Sequence, residues 1–184
     1  MKLIYLTLLL AFALPISASQ TQVDEQLRTA LSKAINNAES FDDRFDAEVW
    51  LMSMSDRLKP FVKKAEQRLQ LLKAIHREAK RADLEPSLVL AVIQIESHFD
   101  RFAISRVGAQ GMMQIMPFWK NEIGRPSDNL MDTDTNLRYG CTILKHYLKR
   151  EKGNWRKALA RYNGSVGKHK YPEKVLTVWT DRWR

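Results

Sequence analysis

Glu96 is followed at once by Ser97, and then by a run from Ser105 through Arg106, Val107, Gly108, Ala109, Gln110, Gly111, Met112, Met113, Gln114, Ile115 and Met116 to Pro117. One carboxylate therefore precedes a turn punctuated by glycines, and after the turn comes an apolar stretch studded with amides. Counting back three, four, seven and eight positions from Glu96 reaches Ile93, Val92, Val89 and Leu88. Those spacings share one face of a helix, so the carboxylate sits on the apolar stripe. Charge is costly there, and desolvation raises a carboxyl pKa toward that of a general acid. The chemistry this predicts is proton transfer by a single glutamate. The nearest acid in sequence, Asp100, lies one turn on beside a loop and reads as a solvated helix-end residue.

The elements that must position Glu96 read as mostly α-helical. Residues 24–38 are amphipathic, with Leu27, Leu31 and Ile35 at four-residue steps, and residues 39–46 are acidic and turn-like. Residues 47–58 form a short apolar-faced segment around Trp50 and Met54. Pro60 opens a longer helical run to Ala82, with Leu69, Leu72, Ile75 and Ala79 on one side. Pro86 suits the first turn of the helix that ends near Ser97. Residues 100–111 predict an irregular turn or small hairpin, and 111–122 a helix complicated by Pro117. Asp132 and Asp134 offer caps for a helix over 135–149, another short helix spans 154–162, and 164–170 is a basic loop. Residues 172–184 close the chain with Val175, Trp179 and Trp183 in a four-residue rhythm that favours packing on the core.

Composition narrows the setting. Met1-Lys2, an apolar run over 3–14, Pro15 and the small residues Ser17, Ala18 and Ser19 have the layout of a secretory signal peptide. The run is short of the ~20 residues a spanning helix needs, and no cysteine stands near the cleavage point for lipid attachment. A periplasmic or secreted protein is expected. The formal net charge of +9 counts Lys2, which leaves +8 on the mature chain. Such a balance first suggests nucleic acid, but export and the lack of a nucleic-acid motif turn the expectation to an anionic wall or membrane surface. Cys141, the lone cysteine, has no intramolecular disulfide partner and reads as a small buried hydrophobe. No Cys/His spacing suggests a metal, and no cofactor is expected; of the four histidines only His98 lies near the key block.

The block from Glu96 to Pro117 resembles the catalytic motif of the soluble lytic transglycosylases of the lysozyme-like superfamily: Glu-Ser, a later Ser, then Gly-Ala-x-Gly-Leu-Met-Gln-(Ile/Leu)-Met-Pro. It departs only at Met112, where Leu is usual. Asn136 to Gly140, with Tyr147-Leu148 beyond, resembles the family's Asn-x-x-x-Gly…Tyr-Leu helix. Ala158 to Gly164 resembles Ala-x-x-x-Tyr-Asn-Ala-Gly, and Tyr171…Val175 the closing Tyr-Val stretch. The resemblance covers about 64–178. Gly164-Ser165 replaces the usual Ala-Gly, and Arg161 stands where a small residue is commoner, which changes one cleft wall.

The resemblance implies a mostly α, lysozyme-like domain over 64–184, after a signal peptide at 1–19 and a helical extension at 20–63. It implies that Glu96 is the sole catalytic acid and base on peptidoglycan glycan strands. The bond cleaved joins N-acetylmuramic acid to N-acetylglucosamine, and the product is a 1,6-anhydro sugar. Ser105, Gln114, Met116, Tyr162 and Asn163 match the family's sugar-contacting residues, a tyrosine hydroxyl such as that of Tyr162 steering the proton of Glu96. Each also has a plainer reading: Ser105 as a cap, Gln114 as a backbone brace, Met116 as core. Two other classes stay open, a goose-type-lysozyme-like hydrolase that uses water and a noncatalytic wall-binding scaffold. A monomer is the default, with room for a partner in wall or secretion machinery.

Overall fold

The structure is a computed structural model that describes residues 40, 41 and 43–184. The expected signal peptide and the amphipathic stretch 24–38 lie outside the described residues. The elements are α1 (Arg44–Leu58), α2 (Ala65–Arg81), α3 (Pro86–Ser97), α4 (Trp119–Ile123), α5 (Thr133–Arg150), α6 (Trp155–Tyr162) and α7 (Lys170–Val178), closed by a π-helical turn (Trp179–Trp183). Among the described residues there is no sheet, only isolated bridges pairing Ile104 with Gln110 and Gln110 with Ile115. The mostly helical, lysozyme-like architecture expected from the sequence is what the chain adopts.

Helix α3 is the axis of the molecule. Leu88, Val89, Leu90, Ala91, Val92 and Ile93 are all buried, so it is apolar on every side, as a helix enclosed by others must be. Helix α2, helix α7 and the π-helical turn pack around it. Pro86 occupies the first turn, and the Glu85 carboxylate accepts from the Ser87 hydroxyl at 3.1 Å. Two polar side chains of this helix are met by the carboxyl-terminal tryptophans: Trp179 Nε1 donates to Ser87 Oγ at 2.8 Å, and Trp183 Nε1 to Gln94 Oε1 at 2.8 Å. Among the described residues no buried side-chain nitrogen or oxygen lacks a hydrogen-bond partner.

Directly after α3 the chain reverses through two left-handed residues, His98 (φ 53°) and Phe99 (φ 67°). Non-glycine residues adopt this conformation only when their surroundings hold them there. The hold is aromatic: Phe99 is buried, 5.0 Å from the ring of Phe61 and 5.7 Å from that of Trp183. Trp183 thus seals α3 and supports the turn that follows it. Trp183→Ala is expected to destabilise the fold by about 3–5 kcal/mol, measured by urea unfolding. A loss below about 1 kcal/mol would show that the indole is dispensable.

Helix α1 shares this core through Leu51, Met54 and Leu58. Three stretches differ from expectation. Pro60 closes the turn after α1 rather than opening a helix, and α2 begins only at Ala65. The reason is Arg68, buried under the linker, whose guanidinium donates to Ser55 Oγ (3.0 Å), Val62 O (3.0 Å) and Lys63 O (2.7 Å). Those carbonyls are held by a side chain instead of a helix ladder. Helix 111–122 likewise does not form: residues 111–118 run through turns on either side of the bridge residue Ile115, and only Trp119–Ile123 is helical. The expected turn-like stretch to residue 46 is already helical from Arg44, capped by Asp43.

Candidate active site

Glu96 stands in the last turn of α3, where the enclosed helix meets the irregular segment 98–118. The residue as a whole is half-buried, with its carboxyl largely withdrawn from water. Burial pushes that carboxyl up from its ordinary 4.5 to about 7, against the downward pull of a hydrogen bond from Tyr171. The Tyr171 hydroxyl donates to Glu96 Oε1 at 2.5 Å. A second buried glutamate shows what decides such a balance. Burial would also raise Glu78, but its hydrogen bonds and charge contacts with Arg138 and Arg81 outweigh it and hold the carboxyl below the ordinary value. Glu78 is an ionised tie between α2 and α5, at 2.7 Å from Arg81 and 3.2 Å from Arg138. Glu96 has no such cation, and can carry a proton near neutrality.

The tyrosine on the acid is therefore Tyr171, not Tyr162. The Tyr162 hydroxyl donates to Met113 O at 2.7 Å, tying α6 to the turn segment. Both phenols are held well above 10, chiefly by burial and then by the charge of Glu96. Each therefore stays a protonated donor at any pH near neutrality. Tyr171→Phe removes the one contact that favours the ionised acid, so the Glu96 pKa is expected to climb above about 7. Carbon NMR of the glutamate carboxyl measures this; an unchanged or lower value would contradict it.

The turn segment is built by amides. Asn136, 1% exposed, accepts from Met113 N at 2.8 Å and donates to Gln110 O (2.9 Å) and Leu130 O (2.8 Å). Gly111 (φ 74°) passes so close that a Cβ there would lie 2.4 Å from Asn136 Nδ2, which is why only glycine fits. One helical turn on, Gly140 leaves room for Met113, whose sulfur would sit 2.2 Å from a Cβ. Gln114, left-handed at φ 50°, turns its amide back to donate to Gly111 O (2.9 Å) and Ala103 O (3.2 Å). Ser97 Oγ donates to Met112 O at 2.8 Å, joining the acid's own helix to the segment.

The remaining residues singled out in the sequence fall as follows. Ser105 is half-buried, its hydroxyl accepting from Ala109 N at 3.0 Å, so it closes the small turn. Met116 is half-buried beside Pro117, and Asn163 is exposed at the end of α6. Neither Ser105 nor Asn163 hydrogen-bonds Glu96. Asp100 is exposed and its carboxylate accepts from Phe102 N at 2.8 Å. Cys141 is fully buried and its thiol is pushed up to about 12, an inert core group. No cluster of metal-ligating side chains occurs among the described residues. Tyr171 and Asn136 were visible only as members of motifs; nothing in their spacing ties them to Glu96 or Met113, 75 and 23 positions away.

Comparisons with known proteins agree on one family. The profile described as Transglycosylase SLT domain matches residues 73–175. The chain is 32% identical over 115 residues to a transglycosylase of Enterobacteria phage PRD1, covering 59% of this chain and 42% of that one. It is 31% identical over 112 residues to membrane-bound lytic murein transglycosylase C of Yersinia pestis (strain Pestoides F), covering 52% of this chain and 31% of that one. Among solved structures, an inactive mutant of the lytic transglycosylase Slt from Pseudomonas aeruginosa aligns with TM-score 0.50 and 27% identity, over 79% of this chain and 23% of that one. The chain thus spans less than half the length of each of these relatives. With the family profile lying over Glu96, the turn segment, Asn136, Tyr162 and Tyr171, the chain belongs to the Transglycosylase SLT domain family.

Proposed function

We propose that this protein is a peptidoglycan lytic transglycosylase, with Glu96 acting first as acid and then as base. The observation that carries this reading is a carboxyl held by burial at a pKa of about 7, with Tyr171 as its hydrogen-bond partner. The family membership and the names of the relatives, murein transglycosylases among them, support the substrate class.

The protonated Glu96 gives its proton to the oxygen that joins N-acetylmuramic acid to N-acetylglucosamine, and the C1–O bond breaks. The N-acetyl carbonyl oxygen of the muramoyl ring stabilises the cationic centre at C1, in place of the second carboxylate that most glycosidases carry. Glu96, now ionised and steadied by the Tyr171 hydroxyl, takes the proton of the muramoyl 6-hydroxyl as its oxygen bonds to C1. The product is a 1,6-anhydro end, and Glu96 returns to its starting protonated form without water entering the balance. A pKa near 7 suits a group that must do both jobs. Asp100, exposed and engaged with Phe102 N, is spared from the chemistry.

The reading is tested on purified peptidoglycan by release of soluble fragments. Asp100→Asn should keep at least about half of wild-type activity, since the role left to it is structural. A loss of more than about 10²-fold, the scale of a lost general acid or base, would install a second carboxylate and favour hydrolysis. Export through a signal peptide at 1–19 belongs to the same proposal. No described helix is long and apolar enough to cross a membrane.

A further inference from the structure

We infer that a basic pocket on α6 and the loop after it binds the carboxylates of the short peptide carried by the glycan strand, an inference that rests on the reading of peptidoglycan as substrate. The pocket has a volume of about 360 Å³ and is lined by Arg156, Lys157, Arg161, Lys168, His169 and Glu151, among others. That size falls in the ~300–1,000 Å³ range of small-ligand sites. Arg156, Lys157 and Arg161 occupy the face of α6 opposite the buried Ala158 and Leu159.

Two of the cations are already committed: Arg161 pairs with Glu151, and Arg156 with Glu173 at 2.7 Å. Lys157 and Lys168 are exposed and make no salt bridge among the described residues, so the cluster keeps an excess of two positive charges. The wall is rigid. Ser165 N donates to Ala160 O at 2.7 Å and Lys168 N to Ser165 O at 2.9 Å, so the loop is folded onto the end of α6. A concave cationic pocket focuses its field on a short acidic chain that enters it.

Its place relative to the acid fits too. Lys168 is three residues before Tyr171, whose hydroxyl touches Glu96, so their Cα atoms are at most about 11 Å apart. The pocket's rim and the acid's hydrogen-bond partner thus belong to one short stretch of chain, and the lactyl-linked peptide of the sugar bound at Glu96, or of the next one along, is assigned to the pocket. Arg161, which departs from the small residue commoner in the family pattern, helps build this wall.

The test compares wild type with the double variant Lys157→Gln/Lys168→Gln on glycan strands that carry peptides and on the same strands stripped by an amidase. Wild type is expected to favour the peptide-bearing strands by about tenfold in kcat/KM at low salt, as charge-assisted contacts allow. The variant should lose that preference while keeping its rate on stripped strands. Equal rates of wild type on both substrates would overturn the inference, as would an equal fall of the variant on both. So would a variant that loses only its binding to anionic phospholipid vesicles. Calorimetric binding of muramoyl dipeptide, against muramic acid without the peptide, reads the pocket independently of cleavage. If wild type cleaves neither substrate the catalytic reading falls, yet a dipeptide advantage that disappears in the variant still supports the pocket, and its absence overturns it.

Discussion

Glu96→Gln is expected to cut fragment release from peptidoglycan by at least about 10³-fold, because the amide supplies neither the proton nor the base. The same substitution should also stabilise the protein, with a pH dependence that reports the acid's environment. In the folded chain Glu96 is raised from 4.5 to about 7 by burial, so the fold favours its protonated form. Stability from this group is complete below pH about 4.5, the unfolded value, and is lost as pH rises through about 7. Glutamine does not titrate. At ~1.36 kcal/mol per pKa unit, the variant's advantage in unfolding free energy should widen by about 3 kcal/mol from pH 4 to pH 8. Urea unfolding at the two pH values measures it. A gap that does not change would mean that the carboxyl is not desolvated, and the basis for its acid role would go with it. In the wild type, the limb of the rate profile that needs the acid form should fall above pH about 7.

Asn136→Ala is expected to be the most damaging change away from the acid. It strips partners from Met113 N, Gln110 O and Leu130 O at once, in a site where the side chain is 1% exposed. Gln110 O keeps Ile115 N as a donor, but Met113 N and Leu130 O lose their partner, and each orphaned buried group costs roughly 1–3 kcal/mol, so with the cavity left behind a total loss of about 3–5 kcal/mol should appear in urea unfolding. The functional consequence travels by named contacts. Met113 O is the acceptor for Tyr162, and Met112 O for Ser97 on the acid's helix. A loosened segment 110–116 should lower activity by about 10–10²-fold even under conditions where the variant is folded. Asn136→Asp separates geometry from size: it keeps the acceptor for Met113 N but turns an oxygen toward two carbonyls, and should be nearly as unstable as the alanine variant. A loss below about 1 kcal/mol in both would show that the amide is not the brace of the turn.

How far the sequence can be read follows from where the deciding contacts lie. Helix α3 was legible because Leu88, Val89, Val92 and Ile93 repeat at helical spacing and Pro86 marks its start. Helix α5 was legible through its cap, since the Asp132 carboxylate accepts from Thr135 N as its position predicts. The acid could be picked out for a local reason, its place on that apolar stripe. The segment 111–118 could not. Met112, Met113, Ile115 and Met116 look helical, but their backbone follows Gly111 at φ 74° and Gln114 at φ 50°. The side chain that rewards this shape belongs to Asn136, and no periodicity encodes a bond across 23 residues. Arg68 defeated the reading of Pro60 in the same way, by taking the carbonyls of Val62 and Lys63.

The site divides along the same line. Residue type and motif singled out Ser105 and Gln114, but the geometry gives both hydroxyl and amide to backbone partners within the turn. Tyrosine as the partner of the acid was a sound expectation on chemical grounds. Which tyrosine depends on how α7 crosses the end of α3, a tertiary fact that puts Tyr171 on Glu96 and leaves Tyr162 bonded to Met113. Glu78 and the carboxyl of Glu96 are both withdrawn from water, yet arginines make one an ion-pair anchor and their absence leaves the other able to hold a proton near neutrality.

The most direct measurement is the mass of the fragments released from purified peptidoglycan by the protein, beside Glu96→Gln. Muramoyl ends one water lighter than the free sugar, present with wild type and lost in the variant, are the expected result. Hydrated reducing ends would contradict the transglycosylase reading and make the protein a hydrolase of the same fold, and identical fragments from both proteins would remove Glu96 from the chemistry.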